Sequence, residues 1–256
     1  MQIRDLLRRV DQAAPFNCAE EWDNVGLMVG DLNAEVCRAG VTLDPVSEAV
    51  VMAAEQGCQA LLCHHPLLFH PIKKLDLACD PGRAVREAIK RDVAILAAHT
   101  NWDCAAGGVN GELARLIELL EPLPLDLESG IGACGNLPEA TPLEKVLANV
   151  QSAWNLMRLD CYAPPKCSMI LCVALCGGSG GSLWPAAKAR GADLYITADM
   201  KYHELMDANR AGLAVALADH GEMERISLPE LARRVAGEDL ETVLIDVRGL
   251  GTPLRL

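Results

Sequence analysis

The chain has 256 residues, 51% hydrophobic and 23% charged, enough for one large core or two modest ones and too apolar for a disordered or fibrous chain. Its 23 Lys and Arg stand against 35 Asp and Glu, a formal net charge of −12, which argues against broad nucleic-acid or anionic-membrane binding because phosphate affinity needs clustered cations. The 11 cysteines form no CxxC pair, and the charged start MQIRDLLRRVDQAAP lacks the apolar stretch of a secretion signal; a reducing cytoplasm is expected, with most thiols as small buried hydrophobes.

Ile3, Leu6, Leu7, Val10 and Ala14 recur at helical spacing, and Pro15 closes that helix. A strand is predicted over 39–43, followed by a helix capped at Asp44, with Pro45 at its first position and Gly57 as its stop. The apolar run 60–63 reads as a strand ending on His64-His65-Pro66. Asp80-Pro81 opens a helix over 83–90, and 93–98 is a buried strand ending on His99-Thr100-Asn101-Trp102-Asp103. Gly107-Gly108 leads into a helix over 109–120, and the stretch 121–130, with Pro122, Pro124 and Gly130, reads as a connection between lobes. Thr141-Pro142-Leu143-Glu144 has capping-box spacing before a helix to about Val150. Beyond it come a strand over 169–175, a Gly-rich turn over 177–181, a helix over 184–189, a strand over 194–197 and a helix over 202–210. A strand over 213–217 then ends on Asp219-His220, and a helix over 223–235 and a strand over 242–247 finish the pattern. No apolar run approaches the ~18 residues of a membrane span.

This alternation predicts an α/β fold with helix-covered sheets. A short echo between Ala53-Ala54-Glu55-Gln56-Gly57 and Ala186-Ala187-Lys188-Ala189-Arg190-Gly191, each a helix end and Gly stop before a strand, suits two similar lobes. The expected boundaries are 1–126 and 127–256, with about 218–256 able to pack back on the first lobe.

Three predicted strands end on histidine: at His64-His65, at His99 and at Asp219-His220. The carboxyl ends of strands are where α/β proteins build sites, so groups distant in sequence can converge there. Successive side chains on a strand point to opposite faces, so His64 and His65 can share one ion only if the backbone bends; two neighbouring ions relax that demand. His220 and Glu224, four apart, fall on one face of a helix, and Asp103 adds a carboxylate. Imidazoles with carboxylates suit zinc, iron or manganese. A lone strand-end histidine is usually packing or surface, so only the joint pattern carries weight.

The segments from Trp22-Asp23-Asn24-Val25-Gly26 to Gly30, Cys63-His64-His65-Pro66, His99-Thr100-Asn101-Trp102-Asp103, Gly107-Gly108-Val109-Asn110, Thr197-Ala198-Asp199-Met200-Lys201-Tyr202-His203 and Asp219-His220-Gly221-Glu222-Met223-Glu224 resemble, in order, the GTP cyclohydrolase 1 type 2 homologue family, also called Nif-three-like. The resemblance implies a two-lobed α/β subunit with a dinuclear metal centre between the lobes, assembled as a homohexamer. Its ligands would be His64, His65, Asp103, His220 and Glu224. Two departures from the family pattern are Ala198, where glycine is usual, and Gly221, where an aromatic residue often stands; the inserted middle domain of longer members has no room here.

Two divalent ions ~3.5–4 Å apart lower the pKa of a bound water and hold a substrate oxygen, which predicts a metal-dependent hydrolase acting on a small molecule. His203, His99 or Asp199 would shuttle protons, or else support the ligands, with Asp23 and Asn24 at the rim. Nothing selects a nucleotide beyond the family name, and no Walker-type motif occurs. The run Gly177 to Gly181 would be an anion-binding nest or a simple turn. The rival readings are a non-catalytic metal-binding or trafficking scaffold and an interaction partner of a transcription-related protein.

Overall fold

Short strands that are apolar at every position must be covered on both faces, which is the environment of a parallel sheet. The computed structural model, which describes residues 1–165 and 167–247, places such runs centrally in its sheets. In chain order the strands are β1 (Gly26–Val29), β2 (Arg38–Thr42), β3 (Ala60–Cys63), β4 (Ala94–Ala97), β5 (Leu120–Leu123), β6 (Ala133–Pro142), β7 (Leu159–Tyr162), β8 (Met169–Leu175), β9 (Leu194–Thr197), β10 (Ala214–Ala218) and β11 (Glu241–Leu244). They form two sheets, and the chain divides into two compact units with one sheet each.

The first unit comprises Met1–Trp102 and the segment from Leu228 onward. Its sheet has the order β1-β4-β3-β2-β11; the pairs from β4 to β11 are parallel, and β1 closes one edge antiparallel to β4. Leu61, Cys63, Ile95 and Ile245 share a core with Ala49, Val50 and Ala53 of helix Ser47–Glu55 and Ala84, Val85 and Ala88 of helix Gly82–Lys90. The alternate residues Ala60, Leu62 and Leu96, also without exposed surface, point to the opposite face. Helix Leu228–Val235 packs on β2, β11 and the first helix, Ile3–Ala13. Each fully buried Leu or Ile contributes about 1.5–3 kcal/mol of transfer free energy.

The second unit is Asp103–Ser227, with the sheet order β5-β6-β8-β9-β10-β7. Here too the middle is parallel, over β8, β9 and β10, and the flanking pairs are antiparallel. Ala174, Tyr195 and Val215 from the three parallel strands share a core with Ala187 and Ala208 of helices Trp184–Ala189 and Tyr202–Arg210. The sheets of both units thus carry a parallel stretch, met by an antiparallel strand at one edge in the first unit and by antiparallel strands on both sides in the second.

Several local expectations change. The helix after β2 starts at Ser47, with Val46 at its cap, so Asp44 is not a cap. Thr141 lies within β6, one residue before its end, and donates its hydroxyl to the Glu139 carbonyl at 3.1 Å instead of capping helix Leu143–Ala153. β5 starts on the last residue of the expected helix over 109–120 and takes in the first three of the expected connection, pairing with β6 in the second sheet. The expected helix over 223–235 is two helices, His220–Arg225 and Leu228–Val235. Pro229 has no N–H to continue the first of them, and the Ser227 hydroxyl donates to the Glu224 carbonyl at 2.9 Å. No helix among the described residues is long and apolar enough to cross a membrane.

Candidate metal centre

In the first unit, parallel pairing puts Thr42, Cys63 and Ala97 in one register line across β2, β3 and β4. Two residues past that line on each strand stand Asp44, His65 and His99. The ladder continues beyond the strands: His64 N–H donates to Thr42, His65 N–H to Leu43 and Ala98 N–H to Cys63, at 3.0, 3.0 and 2.9 Å. At His64 and His65 the backbone bends, which lets adjacent side chains turn to one side. The His64 and His65 rings lie 5.2 Å apart between centroids, and the His99 ring lies 5.2 Å from the first and 5.8 Å from the second. Each of the three offers one ring nitrogen, and these lie within 4.8 Å of one another, a group that could hold a metal ion.

The three imidazoles are oriented in one way. Nδ1 of His64, which has no exposed surface, donates to the Ala98 carbonyl at 3.0 Å. Nδ1 of His65 donates to Asp44 Oδ1 at 2.8 Å, and Nδ1 of His99 donates to Asp23 Oδ1 at 2.9 Å. Carbonyl and carboxylate oxygens only accept, so Nδ1 carries the hydrogen in every case and Nε2 is the nitrogen that can accept a metal ion or a proton. Asp23 also accepts from the Thr100 N–H at 3.0 Å and the Thr100 hydroxyl. Burial would raise the Asp23 carboxyl, but the hydrogen bonds from His99 and Thr100 outweigh it and hold it at about 2.

The second unit uses the same device. β8, β9 and β10 end on Cys176-Gly177-Gly178, Ala198-Asp199 and Asp219-His220. Asp219 caps helix His220–Arg225 by accepting the Glu222 N–H at 2.9 Å. The helix begins at His220 itself, so His220 and Glu224 stand one turn apart, with Nε2 to Oε1 at 3.0 Å. His220 Nδ1 donates to Asp199 Oδ2 at 2.6 Å, and Ser179 donates its hydroxyl to the same oxygen at 2.8 Å. The Glu224 hydrogen bond is the largest influence on His220; burial opposes it, Asp199 adds to it, and the imidazolium persists to about 9. Burial pushes the Cys176 thiol up, and Asp103 and Glu224 push it further, so both carboxylates act on one buried thiol. The Asp103 carbonyl accepts Asn110 Nδ2 at 3.1 Å, and the other end of that amide, Asn110 Oδ1, accepts the Gly177 N–H at 2.9 Å.

Gly178 has φ +69° and lies so close that an added Cβ would fall on Glu224 Oε1 and stand 3.3 Å from His220 Nε2. The glycine-rich turn is consumed by packing: Gly180 N–H donates to Thr197 Oγ1 at 3.1 Å, and the Tyr195 hydroxyl donates to the Gly180 carbonyl at 2.6 Å. The bonds donated by Gly180 and Gly177 take up N–H groups that an anion nest would need.

His99, the expected proton shuttle, stands with His64 and His65 in one group. His203 is exposed in the first turn of helix Tyr202–Arg210, its ring 5.4 Å from Tyr202. Sequence reasoning missed Asp44, assigned to a cap, and gave Asp23 no role in orienting His99. A signal for Asp44 did exist, since it too directly follows a predicted strand; Asp23 had none, because 76 residues separate it from His99.

A profile of the family described as Duf34/NIF3 (NGG1p interacting factor 3) matches residues 1–249. The chain is 36% identical over 215 residues to a Lactococcus lactis protein described as "GTP cyclohydrolase 1 type 2 homolog", covering 83% of each. It is 32% identical over 240 residues to a Clostridium perfringens protein of the same description, covering 92% of this chain and 91% of that one. Among solved structures, the Bacillus cereus protein related to NIF3 has the same fold, with a TM-score of 0.90 at 21% identity over 100% of this chain and 99% of that one.

Proposed function

The chain belongs to the Duf34/NIF3 family, and from that premise we propose that it binds two divalent metal ions through His64, His65, Asp103, His220 and Glu224 and hydrolyses a small molecule with their help. One observation carries the reading: His64, His65 and His220 all commit Nδ1 to an oxygen acceptor, as metal-binding histidines do. The donor set of imidazole and carboxylate, without thiolate, fits zinc, iron or manganese. When bound, such ions supply Lewis acidity and a water of lowered pKa.

The chain's own groups do the rest. Asp44 orients His65, and Asp199 orients His220. His99, steadied by Asp23, is the group to take up or deliver a proton at Nε2, and Asp199 is a second candidate through its own carboxylate. His203 is a third candidate on its place in the motif alone. Assembly as a homohexamer in the cytoplasm completes the proposal; the first rests on the family resemblance, and the second gains support from the absence of disulfides among the described residues.

Elemental analysis of the purified protein, followed by a screen of nucleotides and phosphoesters with and without chelator, tests the reading. Two ions per chain with chelator-sensitive hydrolysis are expected. Stoichiometric metal with no turnover would favour a metal-binding scaffold, and absence of metal would overturn both. Asp103→Ala should lose bound metal; full occupancy in that variant removes Asp103 from the ligand set.

A further inference from the structure

Aromatic side chains make up 4% of this sequence, among them 4 Trp and 2 Phe. Trp102 and Trp154 are buried, with 0% and 2% of their surface exposed, whereas Trp22 keeps 58% exposed and Phe69 39%. These two exposed rings meet each other edge to face, with centroids 5.6 Å apart and planes at 68°. Both also stand against His99, at 6.3 Å from Trp22 and 6.0 Å from Phe69. Leaving such large apolar area in water is unfavourable, and here it lies beside an imidazole of the candidate metal group.

Hydrogen bonds of the segment Trp22-Asp23-Asn24 tie this arrangement together. Asp23 N–H closes a turn on the Glu20 carbonyl at 2.9 Å, and Glu20 N–H donates to the Thr100 hydroxyl at 3.0 Å. The Asp23 carboxylate accepts from His99 and Thr100. Asn24 Nδ2 donates to the Leu68 carbonyl at 2.6 Å, which ties the residue before Phe69 to the same turn. Within one tripeptide, the first side chain supplies a ring, the second fixes the histidine, and the third fixes the second ring.

We propose that Trp22 and Phe69 form an aromatic shelf that binds a planar aromatic or heteroaromatic ring of the substrate beside His99. The inference deepens the hydrolase reading and rests on it for the word substrate; the shelf itself rests on ring geometry. An exposed indole offers a π-face to any flat ring, and stacking of this kind is sequence-tolerant and strong enough for a single ring to be held. With His99 about one ring-width from both aromatics, the substrate's reactive bond lies close to its ring rather than at the end of a long chain.

The test is ligand-detected NMR on the full-length protein with adenosine, guanosine, cytidine and nicotinamide as planar probes and ribose 5-phosphate as the non-planar control, bound metal being measured in parallel. At least one planar probe should bind with a submillimolar Kd, more tightly than the control. Trp22→Leu and Phe69→Leu should each weaken it at least tenfold with metal content unchanged. Trp22→Phe should restore most of the affinity, and Tyr162→Leu, an exposed aromatic of β7, should leave it unaltered. Failure of every planar probe to bind, or unchanged affinity in both leucine variants, overturns the shelf. Ring binding in a protein without metal would leave the shelf standing and remove the hydrolase reading; metal without ring binding would do the reverse.

Discussion

His99 Nδ1 and Asp23 Oδ1 lie 2.9 Å apart across 76 residues of sequence, and the same carboxylate grips Thr100. Asp23 is therefore both the orienting partner of a candidate site imidazole and a latch between the segment before β1 and the end of β4.

That latch makes stability depend on pH. Burial raises the Asp23 carboxyl but the His99 and Thr100 hydrogen bonds prevail, so its native value is about 2 against an ordinary 3.8. A depressed native pKa contributes stability that is complete above the unfolded value and is lost as pH falls from there through the native one. Asp23→Asn should show a shallower fall of the urea midpoint between pH ~4 and ~2 than the wild type. Parallel acid limbs in the two proteins would remove Asp23 from this role.

Asp44 separates two readings of one residue. As the partner of His65 it should matter to metal, and Asp44→Ala should lower metal affinity about 10- to 100-fold. As a helix cap it would instead cost about 0.5–2 kcal/mol of stability and leave metal alone. Chelator competition and urea unfolding on the same variant distinguish the two; a destabilised protein with unchanged metal affinity would refute the partnership.

His220 couples metal binding to protons. Its hydrogen bond to Glu224 is the main cause of a pKa near 9 in the metal-free protein, against an ordinary 6.5, so at neutral pH an ion must displace a proton to reach the ring. Metal affinity should rise by up to about tenfold per pH unit from 7 until about 9 and then flatten. The sign for the metal-free fold is opposite: this raised pKa stabilises fully below 6.5, and the gain is lost as pH rises through about 9. A pH series of competition titrations checks the first statement, and affinity that does not change over that range would contradict it.

Gly178 leaves no room for a side chain. Gly178→Ala would place a Cβ on Glu224 Oε1 at a residue with φ +69°, and the strain should cost about 1–3 kcal/mol. Bound metal should fall with it, because Glu224 and His220 would be pushed aside. Urea unfolding and elemental analysis read the two effects separately; an alanine variant as stable and as metal-rich as the wild type would show that the packing is looser than described.

Much of the fold can be read locally. Strands β3, β8 and β9 stand where their apolar runs predict them; β3 and β9 are buried at every position, as a strand covered on both faces must be, and β8 over 173–175. β6 could not be read this way. Its register with β8 jumps between Asn136 and Thr141, and the intervening Pro138 interrupts both apolar alternation and the hydrogen-bond ladder. β5, exposed along its length and carrying Pro122, looks like a connection because an edge strand buries little. β11 joins β2 through contacts across the whole chain, which is why the first unit draws on both ends of the sequence.

The sequence alone determined the α/β class, the family and the placing of histidines at strand ends, since each of these follows from residues close together in the chain. Only the tertiary structure decided that Asp44, His65 and His99 each stand two residues past one register line, that Asp23 is the partner of His99, and that Trp22 and Phe69 meet beside it. The reason is physical: a run of apolar residues specifies its own strand, whereas register between strands and the bend at His64-His65 are settled by packing and hydrogen bonding among segments far apart in sequence.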